Sequence, residues 1–101
     1  MTAHCDKDYA KELYKVLASL KNEEEFRIFF EDLCTNKELE QMAQRLCGAE
    51  LLLDKKTYTQ ITSSTDISSA TLSRVSRCIQ YGSGGYNRLL KRYLDQRDNK
   101  S

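Results

Sequence analysis

The chain lacks proline, has one histidine and few valines, and contains no long run of apolar residues. Without about eighteen consecutive apolar residues it has no membrane-spanning segment. The start MTAHCDKDYA carries acids where a signal peptide would have an apolar stretch. We therefore expect a cytoplasmic protein that does not enter the membrane.

Histidine and cysteine are too scattered to form an obvious catalytic or metal site. His4 is the only histidine and stands at the start of the chain, where we expect it to be solvated and not to act as the base of a catalytic site. Cys5, Cys34, Cys47 and Cys78 include no Cys-x-x-Cys pair of the kind that holds zinc. We predict no enzyme activity, no metal and no cofactor. The cysteines should be reduced thiols, with Cys47 and Cys78 buried, although an exported chain could form two disulfides.

The length of 101 residues predicts one domain, residues 1–101. A chain of this size buries only about two-thirds of its unfolded surface, which leaves little room for an enclosed active site. A binding module or an oligomer fits this length better than an enzyme.

The apolar residues recur about every 3.6 residues, and no segment alternates between apolar and polar residues as a strand would. We therefore predict an all-α fold of six helices. Three polar pairs have the form of helix N-terminal caps: Asn22 with Glu25, Thr35 with Glu38, and Thr57 with Gln60. Gly82 should end the fifth helix in a left-handed conformation. The sixth helix should begin near Tyr86 and fray in the tail QRDNKS.

The second predicted helix carries three phenylalanines, Phe26, Phe29 and Phe30, which is much aromatic surface for one small monomer to cover. A second copy would cover it more completely. We therefore predict a homodimer with two-fold symmetry, built on helices at about 8–53 and 86–95. A monomeric bundle is the alternative.

Charge is distributed unequally along the chain. Residues 1–54 hold seven Lys or Arg and twelve Asp or Glu, a net charge of −5, whereas residues 55–94 hold seven against one, a net charge of +6. A basic half is typical of a surface that binds phosphate. Solvated helix faces of unequal charge are the alternative.

The segment at about 57–81 has the pattern of a helix-turn-helix. Ile61, Ile67, Leu72 and Val75 fall where two short helices pack across a tight turn. Asp66 stands where such turns often have glycine, so we expect a slightly strained left-handed residue there.

The outward face of the second helix in this pair carries small side chains at its start and cationic side chains further along. Such a face lets the backbone approach base edges while guanidinium groups reach guanines or phosphates. The outward residues are Ser69, Ala70, Ser73, Arg74 and Arg77.

Four stretches, ELEQMAQRLCGAELLL, TYTQI, ATLSRVSRC and QYGSGGY, together resemble the tryptophan-repressor superfamily, in particular its YerC/YecD-like branch. The resemblance covers about residues 9–94 and implies an intertwined, all-α dimer that binds a near-palindromic operator and represses transcription. It implies that Ser68 to Tyr81 is the recognition helix. It also implies that Thr59, Gln60 and Arg74 lie near the DNA backbone.

The resemblance also bears on a small-molecule effector. The classical repressor binds L-tryptophan with two arginines and a glycine that leaves room for the indole ring. Arg45 and Arg74 match the arginines, but Val75 occupies the glycine position, so we do not expect this chain to sense tryptophan.

Taken together, these patterns predict a dimeric, sequence-specific regulator of transcription that binds double-stranded DNA, most simply as a repressor. The alternative is a small helical adaptor whose basic face binds an acidic protein.

Overall fold

The computed structural model describes residues 8–99, which form helices joined by short turns, with no strand in that range. The predicted all-α class is confirmed. None of the described helices is long and apolar enough to cross a membrane. His4 and Cys5 lie outside the described residues. In chain order the elements are α1 (Tyr9–Ser19), α2 (Glu23–Leu33), α3 (Asn36–Leu53), α4 (Tyr58–Ser64), α5 (Ser69–Tyr81), a π-helical segment (Gly85–Leu90) and α6 (Lys91–Asn99).

The three predicted caps are present at the starts of α2, α3 and α4. The Asn22 side chain accepts from the Glu25 N–H at 3.0 Å. Thr35 and Glu38 exchange two hydrogen bonds of 2.9 and 3.0 Å. Each bond satisfies a backbone N–H that has no partner within the first helical turn, which fixes where the helix begins.

The backbone divides into two compact units, Met1–Leu39 and Glu40–Ser101, with the boundary inside α3. In the first unit, α1 and α2 contain no buried residue. Tyr9 and Tyr14 are 72% and 65% exposed, and Phe26 and Ile28 are exposed as well. The assignment of residues 1–101 to one domain stays a prediction.

The second unit contains all the buried apolar side chains of the described residues: Ala49, Ile61, Ile67, Leu72 and Val75. Leu51 and Leu52 of α3 pack against this cluster. A Cβ added at Gly48 would lie 3.1 Å from Leu72 Cδ2, so α3 and α5 approach closely at that glycine. The core therefore lies beneath α4 and α5.

The end of α3 is a Schellman turn. The Lys55 N–H donates to the Leu52 carbonyl and the Lys56 N–H to the Leu51 carbonyl, each at 3.0 Å. Lys55 takes the left-handed conformation, φ 70°, that glycine usually supplies at this position. The turn thus fixes the direction in which the chain leaves α3 for α4.

The helix α5 ends at Gly82 as predicted, but the predicted left-handed conformation is wrong, because this residue is extended, with φ −83° and ψ −164°. The left-handed residue is Gly84, with φ 95°. Gly82 is needed for another reason: a Cβ there would overlap the Cys78 carbonyl, to which the Gly82 N–H donates at 2.8 Å.

The last helix begins at Gly85, within one residue of its predicted start, although its first segment is π-helical. It continues as α6 to Asn99, so residues 96–99 are helical and the predicted fraying there is wrong. The Asn87 side-chain amide donates to the Ile79 carbonyl near the end of α5. This bond joins the π-helical segment to α5.

The described cysteines, Cys34, Cys47 and Cys78, are free thiols. Cys47 and Cys78 are exposed, so their predicted burial is wrong. Cys47 lies on α3 and Cys78 on α5, but neither lies on the face of its helix that is buried. The buried residues of these faces include Ala49 on α3 and Val75 on α5.

Candidate nucleic-acid interface

Two helices, α4 and α5, form a helix-turn-helix at the predicted place. Thr57 and Gln60 form a reciprocal capping box at the start of α4, with hydrogen bonds of 3.1 and 2.8 Å. The Ser68 side chain accepts from the Thr71 N–H at 3.1 Å and caps α5. The Tyr58 hydroxyl donates to the Leu72 carbonyl at 3.4 Å, which ties the first helix to the second.

The turn between α4 and α5 depends on Thr65. Its hydroxyl donates to the Ile61 carbonyl at 2.8 Å and accepts from the Ile67 N–H at 3.1 Å. The predicted left-handed conformation at Asp66 is wrong, since Lys55 is the only non-glycine residue with positive φ among residues 8–99. The threonine side chain closes the turn, so no left-handed residue is needed.

The four residues predicted to be interior are buried: Ile61, Ile67, Leu72 and Val75. They come from both helices and from the turn, so α4 and α5 share one core. Burial of this apolar set fixes the opposite sides of both helices toward solvent.

All the residues predicted to face DNA are exposed. Their roles in binding stay a prediction. These residues are Thr59, Gln60, Ser68, Ser69, Ala70, Ser73, Arg74 and Arg77.

The outer face of α5 carries unpaired positive charge. Arg74 and Arg77 form no ion pair with any residue in the described range 8–99. Asp66 is exposed and is the one acid among residues 55–94. The guanidinium groups are therefore available to an anionic partner.

The residues matched to an effector site differ in their surroundings. Arg45 is half-buried, Arg74 is exposed, and Val75 is 1% exposed. Val75 is thus a core side chain of α5, and its branched methyl groups fill the space that glycine would leave open. This burial agrees with its prediction as an ordinary inward residue.

One polar feature beside α4 was missed by sequence reasoning. A shallow groove of about 180 Å³ is lined by Leu51, Lys56, Gln60, Ile61 and Ser64. The signal in the sequence was the lysine pair directly before Thr57, which entered the charge count but received no role. The Schellman turn places Lys56 at the same groove as Gln60, and local pattern alone does not reveal that placement.

The comparison with known proteins agrees with this geometry. The family described as Trp repressor protein matches residues 9–94. The uncharacterized protein YerC of Bacillus subtilis (strain 168) is 44% identical over 81 residues, which are 80% of this chain and 78% of YerC.

Two crystal structures share the fold. A TrpR like protein from Eubacterium eligens ATCC 27750 is 40% identical, with a TM-score of 0.79, over 86% of this chain and 91% of that one. A structure from Staphylococcus aureus is 36% identical, with a TM-score of 0.80, over 93% of this chain and 95% of that one. The family match extends through the helix-turn-helix and the helices on either side of it. The chain therefore belongs to the Trp repressor family, a family of regulators.

Proposed function

We propose that this protein is a sequence-specific DNA-binding repressor of transcription that acts as a homodimer in the cytoplasm. The observation that carries the proposal is the outer face of α5, where small residues are followed by Arg74 and Arg77. Both arginines are exposed, and neither has an ion-pair partner among residues 8–99.

In the proposed mechanism, α5 is the recognition helix and lies in the major groove. Ser69, Ala70 and Ser73 are small enough for direct or water-bridged contacts with base edges. Arg74 and Arg77 bind phosphates or guanines, while Thr59 and Gln60 on α4 lie at the DNA backbone. Two copies would place their recognition helices about 34 Å apart, one turn of duplex, on a near-palindromic operator.

The proposed dimer is supported by the surface of the first unit. Its helices bury no residue within the chain and expose Tyr9, Tyr14, Phe26 and Ile28. Exposed apolar patches mark protein interfaces, so these side chains support a dimer. A second copy of this chain would remove them from water.

We include neither a corepressor nor a catalytic step in this proposal. Val75 is 1% exposed, and it stands where the matched position of the family is a glycine that leaves room for the indole ring. We infer that any effector of this protein differs from tryptophan in shape.

The test is the salt dependence of binding to duplex DNA. Each phosphate contact contributes about 0.9 to the slope of log K against log salt. Arg74→Ala and Arg77→Ala should each weaken binding and flatten that slope by about one unit. Equal slopes for these variants and the parent would refute their contacts with phosphate.

A matched control is Arg27→Ala, which removes the same charge from α2. The Arg27 guanidinium already donates hydrogen bonds to Glu24 and Glu31. The bond to Glu24 has the larger effect and the bond to Glu31 the smaller one, and both raise the pKa of Arg27. It therefore offers little unpaired charge to DNA, and its slope should equal that of the parent.

A second arm separates the repressor from the adaptor that binds an acidic protein. The adaptor forms no complex with random duplex DNA even at low salt, whereas the proposed repressor does. Selection from a random duplex library should then recover an inverted repeat, as two-fold symmetry requires.

A further inference from the structure

The groove beside α4 has one apolar side and one polar side. Leu51 and Ile61 supply the apolar side, and Lys56, Gln60 and Ser64 supply the polar side. The groove is lined by residues of α3, of the turn that follows it and of α4, with none from α5. It therefore lies along the first helix of the helix-turn-helix, which is proposed above to lie at the DNA backbone.

The capping box fixes the side chain of Gln60. Its Oε1 accepts from the Thr57 N–H at 2.8 Å, so the amide nitrogen Nε2 is directed away from the cap. This Nε2 group has no acceptor among the residues the structure describes. Gln60 therefore presents hydrogen-bond donors only, in an orientation that its own helix cap holds.

Lys56 supplies a charge at the same groove. The Schellman turn anchors its backbone through the 3.0 Å bond to the Leu51 carbonyl. Its Nζ lies 3.9 Å from Asp54 Oδ2, and both side chains are substantially exposed. An exposed ion pair at this distance is weak, so a stronger anion can replace Asp54.

The chemistry of these groups selects the ligand. The Lys56 ammonium and the Gln60 side-chain NH₂ group are hydrogen-bond donors. The Ser64 hydroxyl already donates its proton to the Gln60 carbonyl at 2.9 Å. Phosphodiester oxygens only accept, and each phosphate carries a negative charge. The O6 and N7 of a guanine also only accept but carry no net charge, so the ammonium of Lys56 favours a phosphate over a base.

We propose that Lys56 and Gln60 form a binding subsite for one backbone phosphate of duplex DNA, which fixes the register of α4 on the duplex independently of sequence. The proposal rests on the DNA-binding function proposed above. It adds Lys56, on the turn before α4, to the residues of the recognition surface.

The test measures binding to a random-sequence duplex over a range of salt. Lys56→Gln should flatten the slope of log K against log salt by about 0.9, and Lys56→Arg should restore it. The control is Lys55→Asn, which removes the same charge one residue away. Asparagine tolerates the left-handed turn, and Lys55 does not line the groove, so the slope should stay near the parent value.

A spectroscopic readout reports on the subsite itself. The side-chain amide resonance of Gln60 should shift when duplex DNA is added to the parent, and this shift should be largely lost in Lys56→Gln. A purely structural role for Lys56 would leave the DNA-induced shift in place.

The outcomes separate this subsite from the function on which it rests. If Arg74→Ala flattens the slope and Lys56→Gln does not, the subsite is overturned and the repressor stands. If Lys55→Asn and Lys56→Gln flatten it equally, the effect is general charge and the subsite is again overturned. If the parent binds no duplex at low salt, both proposals fail together.

Discussion

Three glycines between α5 and α6 provide a graded test of the backbone path. Gly82, Gly84 and Gly85 are separated by at most three positions, yet an alanine meets a different obstacle at each. At Gly82 the added Cβ overlaps the Cys78 carbonyl, at Gly84 it meets no atom but the backbone has φ 95°, and at Gly85 neither obstacle exists. We expect the destabilisation by alanine to fall in that order.

The cost at Gly82 comes from displaced backbone. The Cys78 carbonyl must move, which disrupts the 2.8 Å bond from the Gly82 N–H at the end of α5. Loss of that hydrogen bond costs about 1 kcal/mol, and the forced shift of the last turn about 1–3 kcal/mol more. A smaller gain of about 0.4–1 kcal/mol comes from the stiffer unfolded chain. Gly82→Ala should therefore lower the free energy of unfolding by roughly 2–3 kcal/mol.

The other two glycines isolate conformation from contact. A left-handed alanine costs about 1–2 kcal/mol, which the unfolded-state gain of about 0.4–1 kcal/mol partly offsets. Gly84→Ala should thus cost about 1 kcal/mol. Gly85→Ala keeps only the gain and should stabilise by a few tenths of a kcal/mol up to about 1 kcal/mol.

The assay is urea denaturation followed by far-ultraviolet circular dichroism, with all variants at one protein concentration because dimerisation would shift apparent stability. In thermal melts, each kcal/mol corresponds to roughly 4–8 °C for a chain of this size. A larger loss at Gly84 than at Gly82 would refute the close approach of Gly82 to Cys78. Equal losses at Gly84 and Gly85 would refute the left-handed residue.

Two further predictions concern the helix-turn-helix. Leu72 is fully buried in the cluster beneath α4 and α5, so Leu72→Ala should cost about 2–5 kcal/mol in urea denaturation, whereas the volume-conserving Leu72→Met should cost less than about 1.5 kcal/mol. Thr65→Val keeps the shape of threonine but leaves the Ile67 N–H without its acceptor and removes one of the hydrogen bonds to the Ile61 carbonyl, and should cost about 1–3 kcal/mol. Thr65→Ser retains the hydroxyl and should recover most of that loss. If valine and serine prove equally stable at this position, the hydroxyl does not close the turn.

The features that sequence predicted correctly are those fixed by local chemistry. The pairs Thr35 with Glu38 and Thr57 with Gln60 cap helices because both hydrogen bonds span only three residues. The interior position of Leu72 follows from helical spacing, since one face of α5 must be buried. Such signals depend little on the rest of the chain.

The features that sequence missed depend on contacts between elements or on a choice among several residues able to make one turn. Thr65 closes the helix-turn-helix with its side chain, so the expected left-handed Asp66 does not occur. The glycine-rich stretch allowed more than one backbone path, and the close approach to Cys78 assigns Gly82 a role that composition cannot reveal. The groove beside Lys56 likewise requires the turn after α3 to be known in detail.

Buried side chains are distributed unequally along the chain. All five buried apolar side chains of residues 8–99 lie between Ala49 and Val75, so α5 is supported by its own chain. The helices α1 and α2, in contrast, contain no buried residue. Because apolar surface drives association in proportion to the area removed from water, the first unit has the most to gain from a second copy. In the proposed repressor, the DNA-binding face of α5 is thus supported by a core within its own chain, whereas the apolar side chains of α1 and α2 become buried only when a second copy binds. Pairing would then set the spacing of two preformed recognition helices without first having to build them.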